Sequence, residues 1–380
     1  MPYTEKTPSI QLKAKSTVNI KYDFSPAKID EESFPFLVWR KIAKELIDES
    51  NSSLLQSGHP QGEIELRTQI ARYLYESRGI ICDAEQIVIG SGTEQLLPMI
   101  LRLFDHTPRL ALENPGYSPI PRVHLQNQAI PIAVDDEGIQ VDQLEQTDAK
   151  LVYITPSHQF PTGAILSAAR RTHLLSWAMA DQGRYIIEDD YDSEFRYIGK
   201  PIPALQSIDK AERVIYMSTF SKSFMPSLRV AYFILPHSLI TKYKAVFSYY
   251  ACTVPRFDQQ MLSEFMLQGY FSKHLNRMRK IYRRKHDKIL SIFDKNYPEV
   301  TISGDMAGMH MLISFKHSLD EQLIKEHLLK KHIRIQPLSQ YTINKKENTN
   351  PSFILGFGGI PYAEIDQAIH QLMNAIYETT

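Results

Sequence analysis

The strongest constraint on this chain's fold is an alternation. From about Glu63 to Pro236, short runs rich in Val, Ile and Tyr alternate with amphipathic stretches. QIVIG (86–90), RLALE (109–113), KLVYITP (150–156), RYIIEDD (184–190), RVIYMSTF (213–220) and RVAYFILP (229–236) read as strands. TEQLLPMILRLF (93–104) and SAARRTHLLSWAMADQ (167–182) read as helices between them. Strands that are apolar along nearly their whole length are covered on both faces, and strand–helix alternation makes their sheet largely parallel. The expected class is therefore α/β, a large domain with a mostly parallel sheet flanked by helices. Ligands of such sheets bind beyond the carboxyl ends of the strands. Every unusual polar cluster in this chain falls at one of those ends.

Beyond Pro236 the texture changes. A helical region spans about 239–294, followed by MHMLISF, HIRIQPL, SFILGF and a closing helix, PYAEIDQAIHQLMNAIY. This reads as a smaller α+β domain. The expected layout is a linker or truncated junction over 1–22, an N-terminal segment over 23–57 packing with the small domain, a large domain over 58–238, and an interdomain helix with the small domain over 239–380.

Charge and cysteine content narrow the function. Lys plus Arg and Asp plus Glu both total 43, so the formal net charge is zero. That disfavours electrostatic capture of nucleic acid by this chain alone. The basic run HLNRMRKIYRRKHDK (274–288) is expected to be a solvated helix face. Cys82 and Cys252 lie far apart and outside any CxxC spacing, so neither a disulfide framework nor a structural zinc site is expected, and a reducing cytoplasm fits. No apolar run reaches the roughly 18 residues a membrane span needs. The first residues lack the apolar centre of a signal peptide.

Five clusters have chemical potential, each beside a plainer reading. GSGTEQLL (90–97) follows a strand and opens a helix, so the N–H groups of Thr93 and Glu94 after Gly92 can face an anion, or the stretch is an ordinary tight turn. EDDYDSEFRY (188–197), with five carboxylates in seven residues, is a metal site, a solvated acidic loop, or a strand end that buries Asp189 or Asp190. TPSHQFPTG (155–163) places His158 in a rigid loop. ENPGY (113–117) offers the flat face of Tyr117 to a ring, or simply packs it. TFSKSFMPSLR (219–229) surrounds Lys222 with Thr219, Ser221 and Arg229. A lysine at a buried strand end loses ammonium solvation, which frees its amine as a nucleophile, whereas a loop lysine stays solvated. Taken together, the parts are a phosphate cradle, a stacking face, a buried acid, a phenol and a lysine amine. That set matches pyridoxal 5'-phosphate.

On these motifs, together with GHPQGEIELR (58–67), residues 23–375 resemble the fold-type I pyridoxal-phosphate enzymes of the aspartate-aminotransferase superfamily. EDDYDSEFRY and the His-Gln form of the PTG loop resemble more narrowly the aminotransferase-like effector domain of GabR/MocR-type transcriptional regulators of the GntR superfamily. The resemblance implies a Schiff base between Lys222 and the cofactor, Asp189 on the pyridine nitrogen with Asp190 as its rival, and Tyr191 on the ring 3-oxygen. It implies Gly92, Thr93, Glu94, Thr219, Ser221 and Arg229 around the phosphate, Tyr117 stacked on the ring, and His158 beside it. A small amine or amino-acid effector and a homodimer are implied as well. DNA would be reached only through an N-terminal winged helix-turn-helix, absent from this chain.

Three departures from the family pattern stand out. Phe160 replaces the asparagine usual before PTG, leaving His158 or Gln159 to supply its contact. Ser57 replaces a tyrosine that reaches the neighbouring subunit. Ile354, in SFILGF, occupies the position of the arginine that clamps a substrate α-carboxylate, with Arg334 and Arg122 as possible substitutes. Loss of that clamp favours a sensor over a free-standing aminotransferase, the alternative. The joint presence of Lys222, Asp189, Tyr191 and Arg229 argues against a scaffold that has lost its cofactor.

Overall fold

A computed structural model describes residues 19–104, 108–117, 129–199, 202–316, 319–343 and 351–379. Its largest sheet has eight strands in the order Ile87–Gly90, Ala231–Ile234, Val214–Thr219, Tyr185–Asp190, Leu151–Ile154, Leu110–Asn114, Ala129–Asp135 and Gly138–Ile139. The five strands from Val214–Thr219 to Ala129–Asp135 run parallel. Ala231–Ile234 runs antiparallel to both its neighbours, so the sheet is mixed at that edge. Leu151–Ile154 and Tyr185–Asp190 are buried along their whole length. Apolar residues cover both faces: Leu97, Leu112, Ile187 and Phe233 pack on one, and Val152, Ile154, Trp177 and Ile186 on the other. The strand Ala129–Asp135 is absent from the sequence reading because most of its residues are only half-buried and it carries Pro131, which blurs the apolar signal.

The region expected as one helical stretch over 239–294 is three helices, His237–Phe247, Arg256–Leu267 and Tyr270–Asn296. The last carries the basic run, and that run is not simply a solvated face. Lys285 is buried, bonding the Asp30 carboxylate at 2.7 Å and the Gly358 carbonyl at 2.8 Å. Arg279 and Arg283 donate to the carbonyls of Glu194 and Tyr197. The basic side chains therefore tie this helix to its surroundings.

The smaller unit is an antiparallel sheet in the order Thr301–Ser303, His310–Ser314, Ser352–Gly356 and Gln336–Pro337, backed by the helices Glu321–Lys330 and Ile365–Tyr377. The N-terminal segment expected to pack with it divides: the helix Phe36–Leu46 packs with Leu66, Ile70 and Phe220 of the large unit, and only the first residues join the small sheet. Tyr22–Asp23 pairs with Ile333–Arg334, and Phe24 accepts from the Gly356 N–H at 2.9 Å. That path carries Pro26 and Ala27 over the mouth of the large domain. Among the described residues, no helix is long and apolar enough to cross a membrane.

Candidate functional site

The carboxyl ends of the parallel strands surround a cavity of about 290 Å³. Its walls include Gly92, Thr93, Glu94, Tyr117, Asp189, Tyr191, Thr219, Ser221, Lys222 and Arg229. Five separate sequence segments thus converge because five strand or helix ends do. Pro26, Ala27, Tyr153, Thr155, Phe160, Pro226, Gln336 and Tyr341 complete the lining. Sequence reasoning missed most of this second group. Pro26, Gln336 and Tyr341 arrive from distant parts of the chain, and no local spacing announces them.

The acid end is decided by the pleat. Neighbouring residues in a strand point to opposite faces. Asp189 faces the cavity, and the Tyr153 hydroxyl donates to it through a short bond. Asp190 faces the other way, onto the Arg78 guanidinium at 2.7 Å and the Tyr216 hydroxyl at 2.7 Å. Burial pushes the Asp189 carboxyl up to about 7, with the charges of Asp190 and Asp192 adding to the shift. A buried carboxylate in this state gains from any cation placed against it.

Lys222 follows the strand Val214–Thr219 on a single helical turn, Phe220–Ser223. Loss of solvent brings its ammonium down to about 8, against the opposing pull of the Asp192 charge. Its Nζ donates to the Pro26 carbonyl, so the N-terminal segment helps place it.

At the far end, Gly92 caps the helix Thr93–Leu101 without a side-chain cap. Its φ of +122° suits glycine, and a Cβ there would lie 2.4 Å from Arg229 Nη2 and 2.9 Å from Glu94 Oε2. The helix N-terminus and Arg229 therefore close on a space that a single methyl group would fill. Glu94 pairs with Arg229 at 3.1 Å, so toward an anion Glu94 offers its backbone N–H and not its side chain. Thr219 Oγ1 accepts from the Ser221 N–H at 3.1 Å, bringing both hydroxyls to the same end.

Several expectations require correction. His158 does not line the cavity. It lies buried behind Tyr191, its Nδ1 on Asp192 at 2.9 Å and its Nε2 on the Gly304 carbonyl at 3.3 Å. The Tyr191 hydroxyl donates to the His158 carbonyl at 2.9 Å. Both ring nitrogens are thus engaged away from the cavity, and Gly308 leaves the room His158 needs, since a Cβ there would lie 2.1 Å from its ring. Gln159 turns inward too, onto Glu113, whose buried carboxyl rises to about 7. Thr155 and Phe160 are the residues of the 155–163 stretch that line the cavity. Arg334 faces solvent and pairs with Asp23 at 3.0 Å, so it supplies no clamp. Arg122 lies outside the described residues. His158, Asp192 and His310 bring possible metal-ligand atoms within 4.8 Å of one another; the sequence reading raised a metal site for the acidic run that holds Asp192 but did not join the two histidines to it.

Comparison with known proteins bears on the family and the fold. Residues 28–372 match the family model described as aminotransferase class I and II. The chain is 41% identical over 356 residues to YdeL, an uncharacterized HTH-type transcriptional regulator of Bacillus subtilis (strain 168), covering 93% of this chain and 76% of that protein. It is 30% identical to MocR of Rhizobium meliloti, a probable rhizopine catabolism regulatory protein, over 94% of this chain and 73% of the other. Among solved structures it is similar to the kynurenine aminotransferase of Pyrococcus horikoshii, in complex with PMP, with a TM-score of 0.84, 27% identity and coverage of 95% and 92%.

Proposed function

The chain belongs to the aminotransferase class I and II family, alongside the aminotransferase-like part of MocR-type transcriptional regulators, and on that premise we propose that it is the effector-sensing domain of such a regulator. The family uses pyridoxal phosphate. When bound, that group supplies a carbonyl carbon that accepts amines and a ring nitrogen that draws electrons. The residues present fit it. Lys222 is the amine that would hold it covalently, and its lowered pKa keeps a larger uncharged share at neutral pH than an ordinary lysine has. Asp189, oriented by Tyr153, would hold a protonated ring nitrogen. The N–H groups of Thr93 and Glu94, the hydroxyls of Thr219 and Ser221, and Arg229 would hold the phosphate. Tyr117 would stack on the ring and Tyr191 would lie at its 3-oxygen.

The observation that carries this reading is the shared cavity, which brings Lys222, Asp189 and the Gly92–Arg229 cradle onto one ligand-sized space. A small amine or amino acid competing with Lys222 would shift the balance between conformations of the domain or its homodimer. The helix-turn-helix module that gives the relatives their name would transmit that shift to DNA, in the cytoplasm.

The test is direct. Purified protein given pyridoxal phosphate should turn yellow, and borohydride should fix the cofactor covalently. Lys222→Ala, with unchanged circular dichroism, should lose the fixed adduct. A wild-type protein that takes up no cofactor sinks the proposal. Sustained turnover of an amino acid with a keto acid would replace sensing with catalysis.

A further inference from the structure

The cavity wall away from the phosphate cradle is built mainly from rings, with Thr155 and Gln336 among them. Phe160 stands at its centre. Its ring meets Tyr117, Tyr191 and Tyr341 edge-on, with centroids 5.9, 6.1 and 4.9 Å away. Behind it, Leu312 and Ile354 face each other across paired strands, and Ile354 is fully buried. The position at which the family's arginine is expected is therefore both apolar and packed beneath Phe160. Across the other strand Ile354 registers with Gln336, whose Oε1 accepts from the Tyr341 hydroxyl at 2.6 Å. Gln336 and Tyr341 both line the cavity, so this polar pair is neutral and already joined.

Charge makes the same point. Among the described lining residues the cations are Lys222 and Arg229. Arg229 belongs to the cradle, and Lys222 is the anchor. Asp189 and Glu94, both acids, line the same space. A ligand carboxylate laid against Phe160 would lose water and meet no opposing charge among these residues. A hydrocarbon in that position would exchange water for aromatic surface.

Building on the cofactor reading above, we infer that the site selects apolar primary amines that lack an α-carboxylate. Such a ligand is an alkylamine or arylalkylamine, its nitrogen toward Lys222 and its hydrocarbon on Phe160, Tyr341 and Tyr117. An arginine–asparagine pair would reward the carboxylate; a phenyl ring over an isoleucine rewards its absence.

Calorimetric titration of the cofactor-loaded protein tests this with matched pairs, 2-phenylethylamine against phenylalanine and 3-methylbutylamine against leucine. The members of each pair differ by one carboxylate. The amine should bind more tightly by about tenfold or more in both pairs. Equal or tighter binding of the amino acids, or no heat from either amine, overturns the inference. The double variant F160N/I354R, which restores the family's asparagine and arginine, should reverse the order. Because an arginine in that packed position can prevent folding, Q336R on the cavity wall is the second variant, and it should narrow the ratio by about threefold or more. Ratios unchanged in both folded variants would show that the wall does not select. Absorbance of the loaded wild type keeps the two readings apart. Failed loading sinks the parent proposal, whereas normal loading with amino-acid preference sinks only this one.

Discussion

Lys222 is where the protein's chemistry and its electrostatics meet, and its neighbours set the pH at which it can act. Burial lowers its pKa to about 8, while the Asp192 charge raises it. The uncharged amine is the nucleophile. Uptake of pyridoxal phosphate by the cofactor-free protein should therefore accelerate as pH rises through about 8, well below the range of an ordinary lysine. Removing the negative charge in Asp192→Asn should move that midpoint lower, because the charge stabilises the ammonium. Stopped-flow absorbance across a pH series reads both midpoints. A midpoint near 10, or an upward shift in the Asn variant, would contradict this account. The sequence revealed the lysine itself through its hydroxyl-rich strand end, but not Asp192. That aspartate lies outside the cavity lining and acts on Lys222 by its charge, and an acidic run alone does not say which way each carboxylate turns.

At the scale of elements, the site is a set of strand and helix ends, which is why so much of it could be read in advance. Apolar strands identify themselves by composition, and the residue that follows each one must lie at a sheet edge where ligands bind. GSGTEQLL, EDDYDSEFRY and TFSKSFMPSLR were legible for that reason, and the structure brings residues from all three to one cavity. TPSHQFPTG was half legible. The loop follows its strand as expected, but its side chains point otherwise, because the His158 ring fits against Gly304 and Gly308, which lie between two strands of the small sheet and leave no local trace in the loop's own sequence. The strand–turn–helix at Gly92 makes a further prediction. Gly92→Ala combines a φ of +122° with a Cβ 2.4 Å from Arg229, so the cradle must open. Affinity for pyridoxal phosphate should fall by about tenfold or more, the scale of one lost charged contact. Affinity for pyridoxal, which has no phosphate, should stay within about threefold. Fluorescence titration of both vitamers separates these effects, and an equal loss for both would mean that Gly92 acts on the fold rather than on the phosphate.

Across the whole molecule, the large sheet and the small sheet meet along a seam of backbone. A Cβ on Gly163 would lie 2.3 Å from the Gly304 Cα, and one on Gly304 would lie 2.4 Å from the Thr162 carbonyl oxygen. Both glycines have left-handed backbone, with φ of +74° and +71°. The Gly308 N–H donates to the Phe195 carbonyl at 2.6 Å and the His158 ring bonds the Gly304 carbonyl, so the seam continues directly behind Tyr191. No periodicity reports a contact of this kind, since it joins residues about 140 positions apart through glycines whose only signature is their lack of a side chain. The seam lies outside the cavity lining, and that separates two effects of disturbing it. Gly304→Ala must distort either its own backbone or the Thr162 turn, at a cost of about 1–2 kcal/mol or more. The melting temperature should drop by several degrees, while affinity for pyridoxal phosphate stays within about threefold of wild type. If sensing requires the two sheets to move together, the rise in melting temperature that an amine gives to loaded wild-type protein should shrink in this variant. Differential scanning calorimetry with and without 2-phenylethylamine measures both quantities. A variant with the wild-type melting temperature would show that the seam is looser than its backbone contacts imply. A variant that melts lower but keeps the full amine response would place the sensing motion inside the large domain.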